Sequence, residues 1–75
     1  MDNKKFMELI HAPYNEAWKL MKEAKDYKSS ANEKEWLKWS DDIDAFREKY
    51  KDNPFGLSVY RMLLDAGDVI GKING

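Results

Sequence analysis

The stretch Trp36-Leu37-Lys38-Trp39-Ser40-Asp41-Asp42-Ile43-Asp44-Ala45-Phe46-Arg47-Glu48-Lys49-Tyr50 decides how this chain folds. Trp36, Trp39, Ile43, Phe46 and Tyr50 recur at spacings of three and four, which at about 100° per residue puts five large side chains in one narrow stripe of an α-helix. Almost every position between them is charged. The helix can therefore bury this stripe alone and must give the rest of its surface to water. Leu37 is the exception, projecting about 100° from the stripe, so it is either exposed or in contact with something outside the main core.

Working outward, Ser30 followed three residues later by Glu33 reads as a capping box, and the central helix is expected over about 31–51. Upstream, Phe6, Ile10, Tyr14, Ala17, Met21 and Ala24 keep one helical phase, while Lys4, Glu8, His11, Asn15, Lys19, Lys22 and Asp26 fill the opposite side. This predicts a first helix over about 2–28. Pro13 lies inside it, where proline removes a backbone donor and crowds the carbonyl of Leu9. Because the apolar phase is the same on both sides, the reading is one helix kinked at Pro13. Downstream, Asn53-Pro54 suits an N-cap and first helical position, with Ser58 as an alternative cap. A third helix is expected over about 54–73, continuous through Gly67 because Val59, Leu63, Ala66, Ile70 and Ile73 hold one phase across it.

Three helices with short connections predict an all-α, up-down-up bundle in one domain of 75 residues. Its expected core is Phe6, Ile10, Ala17, Met21, Trp36, Trp39, Ile43, Phe46, Leu63, Ala66 and Ile70. So short a chain needs efficient burial, and 13% aromatic residues supply it. The chain has no cysteine, which excludes disulfides and thiolate chemistry and suits a reducing, cytoplasmic setting. Thirteen Lys and Arg against fourteen Asp and Glu leave a net charge of -1, without the basic excess usual in nucleic-acid-binding domains. No apolar run reaches the roughly 20 residues of a membrane span, and the first residues lack the apolar core of a signal peptide. Neither a leader nor a membrane association is expected.

The chemistry-bearing residues are few. His11 is the sole histidine, with no cysteine or second histidine to complete a transition-metal site, and it reads as ordinary surface on the polar side of the first helix. Asp41, Asp42, Asp44 and Glu48 point in different directions around a helix and lack the glycine turn of a calcium loop. Ser30, Ser40 and Ser58 occur in no nucleophile context. No catalytic residue, metal, cofactor or small-molecule substrate is expected, and an enzyme is the least favoured class. Lys19, Lys22, Lys25 and Lys28, with Trp18 and Tyr27 nearby, form a candidate basic surface of the kind that contacts phosphate and stacks bases, diluted by Glu16, Glu23 and Asp26.

The third helix is apolar nearly all round, with only Arg61, Asp65, Asp68 and Lys72 as a polar strip. Two neighbours cannot cover so much, and contiguous exposed apolar surface marks interaction sites. Leu57, Tyr60, Leu64, Gly67 and Gly71 are the candidate interface, the glycines permitting close backbone approach. The expectation is a non-catalytic interaction or accessory module that self-associates through the third helix, its partner a second copy or else another protein. The alternatives are a nucleic-acid-associated regulator using the lysines, and a small inhibitor or adaptor that binds one host protein.

Overall fold

A computed structural model describes residues 1–29 and 33–75, and it places three α-helices there: α1 (Asn3–Glu23), α2 (Glu33–Lys49) and α3 (Gly56–Asn74). Opposing residues fix their directions. Glu16 and Glu23 of α1 meet Lys49 and Lys38 of α2, and Gly67 of α3 meets Trp39 of α2, so each consecutive pair is antiparallel and α1 runs parallel to α3. The bundle is up-down-up, as the apolar phases require. The capping pair expected at Ser30 and Glu33 falls partly outside the described residues.

The α2 stripe builds the centre. Trp39, Ile43 and Phe46 pack with Val59 and Leu63 of α3 and with Ala17 and Ala24 of the first segment, and all seven are buried. Met21, Trp36 and Ile70 of the expected core are half-buried around this cluster. Ala66 and Ile10 are half-buried as well. Phe6 departs from expectation at 40% exposed; near the N-terminal end of α1 it makes a T-shaped contact with Phe55, ring centroids 5.6 Å apart, and lies outside the buried cluster. Leu37 stands outside the core at 57% exposed.

Helix α1 passes through Pro13 without interruption, and the proline ring is fully buried. Proline has no N–H, so the carbonyl of Leu9 loses the donor that an ordinary residue at position 13 would supply. Asn53 fills that role from the other end of the chain: its Nδ2 donates to the Leu9 carbonyl oxygen at 2.9 Å. The same side chain accepts from the Phe55 N–H at 2.8 Å. Asn53 is thus not the N-cap of α3, which begins two residues later than its Pro54 signal suggests, after Phe55. Gly56 is obligatory in this turn, since a Cβ there would overlap the Tyr50 carbonyl oxygen.

The first helix ends at Glu23, five residues short of its apolar pattern. Beyond it the chain turns across the bundle and its carbonyls find distant donors. Asn74 Nδ2 donates to the carbonyls of Lys25 and Tyr27, both at 2.8 Å. Trp36 Nε1 donates to that of Lys28 at 2.7 Å. The Ser29 N–H donates to the Gly71 carbonyl at 3.3 Å. Helix continuation through 24–28 would forfeit these bonds.

Two stability outcomes follow. Phe46→Ala is expected to cost about 3–5 kcal/mol in urea denaturation, a large fraction of the stability of so small a fold. Asn53→Ala is expected to cost about 1–3 kcal/mol by stranding the Leu9 carbonyl. Pro13→Ala restores a backbone donor to that carbonyl, so the double variant should lose less than the two single losses added together. Strict additivity would mean that Pro13 and Asn53 are not coupled.

Candidate interaction surface

Burial on α3 follows its helical phase. Gly56, Val59, Leu63, Gly67 and Gly71 are buried, and Arg61, Asp65, Asp68 and Lys72 form an exposed strip on the far side. Between core and strip run two apolar flanks. Leu57 and Leu64, 50% and 44% exposed, lie toward α2. Met62, Val69 and Ile73 lie toward α1, the last two 52% and 77% exposed.

This division corrects the interface expected from sequence. Gly67 faces inward: a Cβ there would stand 2.7 Å from Trp39 Nε1. Gly71 faces the connecting segment, its Cβ position 3.3 Å from Ser29 Cα. Tyr60 packs against the core and carries the Arg47 guanidinium 5.2 Å from its ring centre. All three are used within the chain, so of the five expected residues only Leu57 and Leu64 remain outward. The surplus of apolar surface is real, and its larger part is on the other flank.

There α1 and α3 enclose a groove of about 590 Å³, walled by Trp18 and Met21 on one side and by Met62, Ala66, Val69 and Ile73 on the other. Trp18 is 56% exposed, with Lys22 Nζ 5.7 Å from its ring centre. Lys22 and Lys25 edge the α1 wall and Asp65 edges the α3 wall. Tyr14 and Met7, also exposed, continue the α1 stripe toward its N-terminus by helical phase. Sequence reading counted Tyr14 and Met21 with the first helix's buried face, and no local signal distinguishes them from its buried residues.

The two other seams differ in character. Between α2 and α3 a cleft of about 500 Å³ is lined by Trp36, Trp39, Ser40, Asp68 and Lys72 among others. The α1–α2 seam is bridged by charge, with Lys49 Nζ on Glu16 at 2.7 Å and Lys38 Nζ on Glu23 at 3.2 Å and on Asp42 at 2.8 Å. Those carboxylates hold both ammonium groups charged above the ordinary lysine range. Asp42 and Glu48 of the acidic run pair with Lys38 and Lys51. Exposed pairs like these contribute little stability.

The four lysines of the candidate basic surface do not share a face. Lys19 borders the α1–α2 seam beside Glu16 and Glu23, Lys22 and Lys25 edge the α1–α3 groove, and Lys25 and Lys28 lie past the end of α1. His11 is exposed on α1. Among the described residues no three His, Cys, Asp or Glu side chains gather as a metal site, and no helix is long and apolar enough to cross a membrane. Compared with known protein families, with curated proteins and with solved structures, the chain matches none of them.

The inward role of Gly67 is directly measurable. Gly67→Ala gains helix propensity of about 1 kcal/mol but must push the Trp39 indole aside, which costs about 1–3 kcal/mol. The expected outcome is a lower denaturation midpoint with a shift in tryptophan emission, whereas Leu64→Ala on the exposed flank should stay within about 0.5 kcal/mol of wild type.

Proposed function

We propose that this chain is a non-catalytic interaction module whose docking face is the α1–α3 groove. The observation that carries this reading is the apolar surface formed by the exposed Trp18, Val69 and Ile73 around the half-buried Met62 on two parallel helices. Water contact with such a surface is unfavourable by about 25 cal/mol for each Å² that a partner could cover. The overall surface points the same way. The chain exposes 5496 Å², whereas a compact monomer of 8.8 kDa is expected to expose about 4,800 Å². The excess of roughly 700 Å² is close to the share one partner contributes to a standard interface, about 800 Å². Extents of 45 × 21 × 15 Å describe an elongated slab.

A groove between parallel helices is the place where a further helix completes a bundle, and helix-in-groove docking is a common mode of protein recognition. Nucleic-acid binding draws no such support, since the four lysines of the candidate basic surface do not share a face.

The test is affinity capture from the native cells with tagged chains. The wild-type chain and a Leu64→Lys variant are expected to retain the same protein, and a Val69→Lys/Ile73→Lys variant is expected to lose it while keeping wild-type helicity. Equal capture by all three would defeat this choice of face.

A further inference from the structure

The groove's two rims carry opposite charge, and this identifies what covers it. Lys22 and Lys25 stand on the α1 wall, and Asp65 stands on the α3 wall. Glu23 meets Lys38 and Gly67 meets Trp39 across the neighbouring seams, so Lys22 lies near the level of Asp65, with Lys25 just beyond it. A two-fold axis running along the groove, parallel to the helices, would lay the α1 wall of one molecule on the α3 wall of another. Each Lys22–Lys25 pair would then face an Asp65, twice over. A two-fold axis across the helices would instead set lysine against lysine and aspartate against aspartate. We propose that the occupant of the groove is a second copy of this chain, docked about the two-fold axis parallel to the helices. The proposal rests on the groove being the docking face and names what fills it.

The shape of the α3 wall agrees. Met62, Asp65, Ala66 and Val69 all line the groove, and their spacing of i, i+3, i+4 and i+7 is that of the four-residue hole which receives a knob from a facing helix. Ala66 gives the hole a shallow floor. Trp18 lines the α1 wall of the same groove and is 56% exposed, so Trp18 of the second copy is a large apolar side chain offered to the α3 wall. Packing in the dimer is a four-helix layer of α1, α3 and their mates, with both copies of α2 outside. Closed two-fold dimers are also the commonest soluble assembly. The surface excess of about 700 Å² per chain is of the size such an interface removes.

Charge reversal separates this arrangement from every other. By sedimentation equilibrium at tens of micromolar the wild-type chain is expected to be a dimer, and its dissociation constant should rise with salt because the rim pairs are exposed. Lys22→Glu/Lys25→Glu and Asp65→Lys are each expected to weaken the dimer by about tenfold, since each sets like charges together at two symmetric places. The triple variant carrying all three changes restores opposite signs and should regain wild-type association. An equimolar mixture of the two weakened variants should form a heterodimer for the same reason. All three positions are exposed, and circular dichroism checks that each variant keeps its helices. A wild-type chain that stays monomeric overturns the second copy while leaving the capture result, and so the docking face, intact. A dimer indifferent to the charge reversals, or one dispersed by Leu64→Lys, overturns the arrangement.

Discussion

The Trp39 indole lies against the α3 backbone at Gly67, where only the absence of a side chain lets Nε1 come within 2.7 Å of a Cβ position. The rest of the bundle takes its register from this contact. With Trp39 at Gly67 and the helices antiparallel, Ile43 and Phe46 join Leu63 and Val59 in one buried cluster, which Ala17 and Ala24 complete. The same register brings the end of α2 so near the start of α3 that Gly56 must sit under the Tyr50 carbonyl. At the opposite end it brings Gly71 to Ser29. One face of α3 is thereby committed to three glycines at close range together with Val59 and Leu63, and its other apolar side chains lie on the flanks.

Much of this was legible in the sequence, because periodicity reports burial directly. The α2 stripe, the continuity of α3 through Gly67 and the passage of α1 through Pro13 all follow from apolar phase, and the helices keep those phases. What periodicity cannot report is the identity of partners far away in the chain. The end of α1 at Glu23 depends on Asn74, Gly71 and Trp36 taking up the carbonyls and amides of 25–29. The start of α3 depends on Asn53 being drawn to Leu9. In each case a short-range signal was present, an apolar residue at the right phase or an Asn-Pro pair, and a long-range hydrogen bond outweighed it. An intramolecular hydrogen bond is worth about 1 kcal/mol, more than most single-residue propensity differences, so two or three of them are enough to move a helix end.

The surface was legible in amount and not in position. Counting apolar residues around α3 shows that two neighbours cannot cover them all, which holds whatever the details of packing. Choosing which remain outside requires knowing which side of α3 faces inward, and glycine misleads here: the spacing of Gly67 and Gly71 suits a helix–helix contact between molecules and equally one within a molecule. Both glycines serve the internal contact. Tyr60, with a polar end and an aromatic body, is held by Arg47 at the edge of the core.

The three seams of the bundle are closed by different means, and the difference bears on where a partner can act. Lysine–carboxylate pairs bridge α1 and α2. The α2–α3 seam is floored by two indoles against a glycine-rich helix, with Leu57 and Leu64 along its margin. The α1–α3 seam has neither device above its floor of Met21, Ala66 and Ile70. Its outer residues, Trp18, Val69 and Ile73, are large, apolar and wet. In a chain of 75 residues, where surface outgrows core, leaving three such side chains in water on one face costs stability that the fold could otherwise keep. In the proposed dimer a partner on this face would regain that stability, and each charged rim would meet the opposite rim of its mate. Monomer packing and the proposed association thus both depend on which side of α3 turns inward, with Val59, Leu63 and the glycines toward the core and Val69 and Ile73 to the side.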